Sequence, residues 1–333
     1  MLGFSEQKLR TGTQDAIDLR PEIEAAVLDV LGRSPKNLYL VGAGGTYAAM
    51  LPYEVLMRSR STFPTTAAIG KELMLLDDPN FGEGSVALFA SVSGTTEDVI
   101  EAIEYAKSRG VLTVGFTGVA DSPFAAALDV PLIAAPKGWP YDVQLLVFTL
   151  KFLSERGEFD GYDQFVADLQ KLPDALVAAA EQAESTAEAF ADEHRDTDYY
   201  FLVGGGNLWG LTYLYSMCVL EEMQWLRTTR VHSAEFFHGS LELIERDTAV
   251  LVFAGEDSTR PLTDRVIRFA EQYSDDVTVL DSKDYALGGI GQESRAFFAP
   301  LVLDVVSDRF SKHLERARDH SLDLRRYYRV VEY

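Results

Sequence analysis

Short runs of consecutive apolar residues recur along the first half of the chain, and most of them lead through a small-residue turn into a helix-like stretch. These runs read NLYLVG, SVALFA, VLTVGFTG and VPLIAAP. Continuous apolar runs of this length are typical of strands that are buried on both faces. Residues 14–33 have the spacing of an amphipathic helix and precede the first run. The alternation predicts a parallel sheet with helices on both faces.

The same order of elements occurs a second time. YYFLVGGGNLWGLTYLYSM, TAVLVFAGEDSTRPLTDRVIRFAEQY and VTVLDS repeat the succession of strand, turn and helix. Residues 160–195 are rich in Ala and Glu and are predicted to form helices that bridge the two halves. We therefore expect a duplicated α/β chain, with one domain over residues 1–185 and a second over residues 186–333.

Composition limits the class of protein. The chain has 333 residues and 47% apolar content, which is enough for two cores of ordinary size. It contains no run of eighteen apolar residues, and its first residues lack the order of a signal peptide, so a cytoplasmic protein without a membrane partner is expected. Cys218 is the single cysteine and reads as a core residue, so neither an internal disulfide nor a thiolate metal cluster is available.

The formal net charge of −22 argues against a nucleic-acid partner. Acidic residues are spread along the chain, a surface that suits a salt-tolerant protein or a high-salt cytoplasm. Such a surface does not attract an anionic substrate from a distance. Local hydrogen-bond donors must therefore hold any phosphate.

Residues 91–97, SVSGTTE, lie where a predicted strand ends and a helix begins. Free backbone N–H groups and the positive end of the helix dipole make such a turn a phosphate cradle, to which the hydroxyls add donors. The alternative is an ordinary N-cap in which Glu97 closes a capping box with Ser93 or Gly94. The turn lacks a P-loop lysine, and residues 42–46, GAGGT, lack the third glycine of a dinucleotide fingerprint. A small phosphorylated metabolite fits better than a nucleoside triphosphate or NAD.

Glu222 and His238 are the candidates for proton transfer. The apolar stretch from residue 207 to 225 is predicted to be one buried helix, with Glu222 on an apolar stripe near its C-terminal end. Desolvation and the negative end of the helix dipole would both favour the protonated carboxyl, which suits a proton shuttle. Glu221, on a neighbouring face, remains a rival, as do His232 and Glu235 in the following loop. His238 could alternatively serve only to order that loop.

These turns and the duplicated pattern resemble the sugar isomerase (SIS) domain over roughly residues 15–333. This domain is a flavodoxin-like three-layer sandwich. It occurs twice in the isomerase half of glucosamine-6-phosphate synthase and in fructosamine deglycases. The resemblance implies that the N-terminal domain binds a sugar phosphate through Gly44, Thr46, Ser91, Ser93, Gly94 and Thr96. Val92 stands where the synthase has a glutamine between its two serines. The second half keeps GGGN at residues 204–207 but has AGEDSTR in place of the hydroxyl-rich turn, so only the first domain is expected to bind phosphate.

In the synthase, a catalytic Glu lies sixteen residues before the His of an HG pair, and Glu222 and His238 match this spacing. The synthase's sugar-binding lysines are absent, since Val219 stands at the helix position and the C-terminal tail has no lysine. The HSAEFFHG loop and the RRYY tail resemble the deglycase branch instead. The implied reaction is cleavage of a fructosamine 6-phosphate into an aldose 6-phosphate and an amine, without metal or organic cofactor. The implied assembly is a homodimer or higher oligomer, because the synthase takes its catalytic His from the neighbouring subunit.

Arg325, Arg326 and Tyr327 lie in a tail that, by the same resemblance, closes over the active site. Arg326 could bind a carboxylate on the leaving amine, or both arginines could simply balance an acidic surface. Trp139 and Tyr141 could line the amine pocket or pack at the domain junction. Two other functions remain open: an aldose–ketose phosphosugar isomerase or glucosamine-6-phosphate deaminase with the same Glu/His pair, and a non-catalytic sugar-phosphate sensor.

Overall fold

The computed structural model describes residues 1–134 and 141–332, which form two units. The N-terminal unit is Gln7–Pro173, and the C-terminal unit combines Met1–Glu6 with Asp174–Tyr333. The sequence pattern predicts a domain boundary at residue 185. A single helix, Leu172–Glu193, runs through that position, so no break in the pattern marks where the units divide.

The N-terminal unit contains a five-stranded parallel sheet with the strand order β2-β1-β3-β4-β5. Its strands are β1 Asn37–Gly42, β2 Thr65–Ile69, β3 Ser85–Ala90, β4 Leu112–Thr117 and β5 Val130–Ile133. Every residue of β1 and β3 is buried, as their continuous apolar runs predict. The order 2-1-3-4-5 is that of flavodoxin-like proteins, so the predicted fold class is confirmed.

Helices cover both faces of this sheet. The helices of this unit are α1 Glu6–Asp18, α2 Arg20–Gly32, α3 Gly45–Arg60, α4 Gly70–Leu76, α5 Glu97–Ser108, α6 Pro123–Ala127, α7 Tyr141–Glu155 and α8 Tyr162–Leu169. Helix α7 contacts both α2 and α3, and on the other side α5 contacts both α4 and α6. The single helix predicted over residues 14–33 is in fact α1 and α2, because the chain turns at Leu19 and Pro21 begins a new helix.

The C-terminal unit repeats the design with four parallel strands in the order β7-β6-β8-β9. They are β6 Tyr199–Gly204, β7 Arg227–His232, β8 Ala249–Ala254 and β9 Val277–Asp281. The helices are α9 Leu172–Glu193, α10 Trp209–Leu214, α11 Arg260–Tyr273 and α12 Gln292–Ala317. None of the helices described here is both long and apolar enough to cross a membrane.

A buried charge cluster ties the N-terminal residues to this unit. Arg309 on α12 is 0% exposed, and its Nε donates to Glu184 Oε2 on α9 at 2.8 Å. Leu2 N donates to the other oxygen of Glu184 at 2.9 Å, and His313 Nε2 lies 3.1 Å from it. Burial alone would raise the pKa of Glu184, but these hydrogen bonds outweigh it and lower that pKa to about 2. Glu184 is therefore the counter-ion of a fully buried guanidinium.

Candidate active site

The first turn of the candidate site joins β1 to α3. Gly44 has a φ of 55°, in the left-handed region that favours glycine. Ala43 N donates to Thr46 Oγ1 at 3.0 Å, and the same hydroxyl donates to Ala43 O at 2.9 Å. A Cβ at Gly42 would lie 2.5 Å from Tyr47 N, so the strand must end in a glycine for α3 to begin so close. The side chain of Thr46 thus stabilises the turn to which it belongs.

The second turn joins β3 to α5 and contains the hydroxyl-rich motif. Ser91 is buried, and its Oγ accepts a hydrogen bond from Gly94 N at 2.9 Å. Ser93 Oγ accepts from Thr95 N at 3.3 Å and Thr95 Oγ1 at 3.1 Å. Thr96 stands at the N-cap of α5 in an extended conformation and makes no side-chain cap hydrogen bond there. Helix α5 therefore begins without the side-chain cap of the alternative interpretation. Its first backbone N–H groups remain available to bind an anion.

The two turns lie side by side at the carboxyl edge of the sheet. Strands β1 and β3 are neighbours, with Val41 paired to Phe89. In the order β2-β1-β3-β4-β5 the connections leave these two strands in opposite directions. Ligands of open α/β sheets bind at this kind of topological switch point. The fold therefore gathers the six predicted cradle residues, Gly44, Thr46, Ser91, Ser93, Gly94 and Thr96, at the edge where a ligand is expected.

The corresponding edge of the C-terminal unit is filled by the protein itself. Asp257, in the turn between β8 and α11, accepts from Asn207 N at 2.7 Å through Oδ2 and from Thr259 N at 2.7 Å through Oδ1. Gly206 has a φ of 56°, and a Cβ there would lie 2.3 Å from the Asp257 carboxylate. A carboxylate of the chain thus occupies the position where a second phosphate would need backbone donors.

Glu222 follows a helix that departs from the regular α-helix expected over residues 207–225. After a 3₁₀ turn and α10, the chain forms a π-helix over Tyr215–Glu221. Glu222 N donates to Met217 O and Gln224 N to Val219 O, each five residues back and at 3.0 Å. Trp225 ends the segment with a φ of 57°. Such π-helical turns are rare and occur often at functional sites.

The environment of Glu222 is also less apolar than the stripe predicts. Its side chain is 27% exposed, and Oε1 accepts from Arg325 Nε at 2.8 Å. The sequence predicts a desolvated carboxyl, whereas the structure shows one that is partly exposed and paired with an arginine. Cys218 on the same segment is half-buried, and burial together with the carboxylates of Glu222 and Glu221 raises its thiol pKa to about 11. A thiol with this pKa stays protonated at neutral pH and is not a nucleophile.

Glu221, the rival carboxylate, is bound to the neighbouring strand β7. Its Oε1 accepts from Arg230 Nη1 at 2.9 Å and from the Thr228 hydroxyl. Arg230 also donates to Ser216 Oγ at 3.1 Å and lies over the Tyr213 ring at 5.0 Å. This network fixes the helix to the sheet, which gives Glu221 a structural role that Glu222 lacks.

His238 ends a 3₁₀ turn, Phe236–His238, in the loop after β7. Phe236 is fully buried and packs edge-on against Phe201 and Phe269, so the loop is anchored while the His238 side chain is exposed. Its imidazole makes no hydrogen bond within the described parts of the chain. The predicted loop-ordering role is thus carried by Phe236.

His232, the other candidate in this region, is engaged by its neighbours. Its Nδ1 accepts from Ala234 N at 3.1 Å, and its ring packs edge-on against Trp209. Burial lowers the pKa of His232, an effect that the nearby Glu235 and Asp257 carboxylates oppose only in part. An imidazole with one nitrogen committed to the backbone is less available for proton transfer than that of His238.

The C-terminal tail brings two adjacent arginines to the Glu222 segment. Arg325 binds Glu222, and the Arg326 guanidinium lies over the Trp225 ring at 4.1 Å. The sequence singled out Arg326 and missed the contact of Arg325, since a pairing across a hundred residues leaves no local signal. Tyr327 is 68% exposed. Trp139 lies outside the described residues, and Tyr141 is the first residue of α7.

Comparison with known proteins gives a consistent picture. The model of the SIS domain matches residues 33–137. Fructosamine deglycase FrlB of Bacillus subtilis is 30% identical over 330 residues, which cover 96% of this chain and 100% of that protein. Fructoselysine 6-phosphate deglycase of Escherichia coli is 28% identical over 318 residues, covering 94% of this chain and 92% of that one.

Solved structures agree with these relatives. A Bacillus subtilis structure assigned to the phosphosugar isomerases superposes with a TM-score of 0.90 at 28% identity, over 96% of this chain and 99% of that one. The C-terminal domain of glucosamine-fructose-6-phosphate aminotransferase from Francisella tularensis superposes with a TM-score of 0.75 at 16% identity, over 93% and 97% of the two chains. The latter likeness concerns the fold alone.

Proposed function

The chain belongs to the SIS-domain family of fructosamine deglycases, and on this premise we propose that it cleaves a fructosamine 6-phosphate into an aldose 6-phosphate and a free amine. The observation that carries the proposal is the match to two deglycases along almost the whole chain, which includes both units and the tail. A relationship through the SIS domain alone would leave the chemistry open.

The phosphate of the substrate would bind at the switch point of the N-terminal unit. The uncapped N-terminus of α5 offers backbone donors and a positive dipole end, and the hydroxyls of Ser91, Ser93, Thr96 and Thr46 border the same edge. The side chain of Val92 is 60% exposed and offers no donor, so donors must come from the backbone beside it. This arrangement suits a compact phosphate monoester held in a net-acidic protein.

Glu222 and His238 would carry out the proton transfers. His238 assists opening of the sugar ring, and Glu222 removes a proton from C1 of the ketosamine while the C2 oxygen takes one up. The resulting enaminol is protonated at C2, and the nitrogen lone pair forms an iminium bond to C1. Water adds to this carbon, and the amine leaves. The substrate supplies its own nitrogen, so no enzyme lysine is needed.

Arg326 would select the amine half of the substrate. Its guanidinium rests on Trp225 at the end of the Glu222 segment and has no carboxylate partner within the described residues. A charge-assisted hydrogen bond to the carboxylate of an amino acid fits this position. We further assign the enzyme to the cytoplasm, where sugar phosphates that cannot cross a membrane are retained, and expect it to act as a homodimer or larger homo-oligomer.

Turnover of defined substrates tests the proposal. The purified protein is incubated with the fructosamine 6-phosphate of glycine and, separately, with glucosamine 6-phosphate, and glucose 6-phosphate and free amine are quantified. The proposal predicts equal amounts of glucose 6-phosphate and glycine from the first substrate, and strong loss of turnover in Glu222→Gln. Release of ammonia from glucosamine 6-phosphate alone would identify a deaminase instead. Binding without turnover of either compound would favour a sensor.

A further inference from the structure

The guanidinium of Arg325 is held by the backbone before it meets Glu222. Its Nη1 donates to Leu322 O at 2.7 Å and to Leu324 O at 2.8 Å, and its side chain is only 20% exposed. The remaining edge presents Nε, which donates to Glu222 Oε1 at 2.8 Å. The two hydrogen bonds to backbone carbonyls distinguish Arg325 from an arginine in a mobile surface ion pair, which contributes little to stability.

The contact makes the two oxygens of Glu222 unequal. Oε1 is bound by Arg325, whereas Oε2 receives no hydrogen bond from any described residue. The adjacent Glu221 does not compete for Arg325, because it is held by Arg230 and Thr228 on β7. Glu222 thus has one anchored oxygen and one open oxygen on a partly exposed side chain.

A carboxylate that moves a proton between neighbouring carbons needs this asymmetry. The same oxygen must take the proton at C1 and deliver one at C2, and a displacement of about 1 Å can cost on the order of a hundredfold in rate. A free glutamate at a helix end samples several rotamers. Holding Oε1 removes most of that freedom while leaving Oε2 to act as the base.

We propose that Arg325 is the positioning residue of the catalytic carboxylate, holding Glu222 through Oε1 so that Oε2 faces the reacting carbons. This inference rests on the proposed role of Glu222. It assigns the two tail arginines different tasks, since Arg325 orients the base and Arg326 binds the leaving group. Arg325 would therefore affect the rate of turnover rather than substrate affinity.

Steady-state kinetics of Arg325 variants test the assignment with the fructosamine 6-phosphate of glycine. Arg325→Met is expected to lower kcat by about 10- to 100-fold while KM changes by less than about threefold. Arg325→Lys should recover only part of kcat, because an ammonium cannot span two carbonyls and a carboxylate as a planar guanidinium does. Addition of guanidinium ion to Arg325→Ala should raise its kcat. Arg329→Met, which removes the same charge from the same tail at a residue lying over its neighbour Tyr328, should leave kcat unchanged.

Several outcomes would overturn the inference. A rise in KM at unchanged kcat would make Arg325 a binding residue, and an absence of guanidinium rescue would leave only a tail-anchoring role. In the double variant with Glu222→Gln, removal of Arg325 should cost nothing further, because it acts through Glu222. Retained binding of glucose 6-phosphate and an unchanged thermal midpoint check that Arg325→Met is folded. Full activity of Glu222→Gln would defeat the proposed function itself, whereas loss in Glu222→Gln with full activity in Arg325→Met would defeat only this inference.

Discussion

Replacement of Gly94 by alanine should close the phosphate cradle. Gly94 has a φ of 67°, and a Cβ at this position would lie 2.4 Å from the Cβ of Ser122, which caps α6. Carbon atoms in contact need about 3.5 to 4.0 Å, so the turn or the start of α6 must move by more than 1 Å. The backbone N–H groups that we propose bind the phosphate would move with it.

The expected cost has two parts. Alanine in the left-handed region loses about 1 kcal/mol relative to glycine. Crowding against Ser122 adds about 1 to 3 kcal/mol, the usual range for an extra methyl group in a packed site. The sum of about 2 to 4 kcal/mol is a large share of the ~5 to 15 kcal/mol by which a typical domain is stable.

Urea unfolding and calorimetric titration with glucose 6-phosphate measure the two effects. Gly157→Ala is the matched control, because Gly157 has a φ of 72° but nothing within 4 Å of its added Cβ. The control should lose about 1 kcal/mol of stability and keep full affinity, while Gly94→Ala loses more stability and at least about tenfold in affinity. Equal stability losses in both variants, or unchanged phosphate affinity in Gly94→Ala, would refute the reasoning about the cradle.

Three further predictions concern stoichiometry, assembly and pH. Glucose 6-phosphate should titrate to one site per chain, since Asp257 fills the C-terminal turn, and calorimetry that finds two equal sites would contradict this role. If His238 acts on the neighbouring subunit's substrate, co-refolded Glu222→Gln and His238→Asn chains should recover about a quarter of wild-type activity. The reason is that half the dimers are mixed, and each mixed dimer has one intact site out of two. An absence of recovery would mean that both residues act within one chain. The low pKa of Glu184, about 2 against 4.5, gives stability that is complete above pH 4.5 and lost as the pH falls towards 2, on the order of 3 kcal/mol. The urea midpoint of the wild-type protein should fall steeply between pH 4.5 and pH 2. The midpoint of Glu184→Gln, which already lacks the carboxylate partner of Arg309, should change less with pH. Parallel pH dependences would contradict the role of Glu184 as the counter-ion of Arg309.

Much of the fold could be predicted because its signals are local. Buried strands such as β1 and β3 are continuous apolar runs, and the turns after them carry glycines that the close approach of a helix requires. The duplication follows from the repetition of these runs. The split at Leu19 could have been read from Pro21, which favours the first turn of a helix over its interior.

The geometry around Glu222 could not be predicted in the same way. An apolar stripe looks alike for an α-helix and for a helix that widens into a π turn, so burial of Glu222 was overestimated. Its partner Arg325 lies about a hundred residues away, and only tertiary structure brings the two together. Asp257 is an intermediate case, because an Asp two residues before Thr259 signals a local turn, but its bond to Asn207 depends on the packing of β6 beside β8.

The position of hydrogen in the products tests the central claim most directly. The fructosamine 6-phosphate of glycine, carrying two deuterium atoms at C1, is converted by the wild-type enzyme, and the sugar phosphate is analysed by NMR and mass spectrometry. Proton transfer through an enaminol predicts glucose 6-phosphate with a single deuterium at C1, a primary isotope effect on kcat/KM and loss of the reaction in Glu222→Gln. Fructose 6-phosphate with both deuterium atoms at C1 would show direct displacement of the amine and would contradict the account.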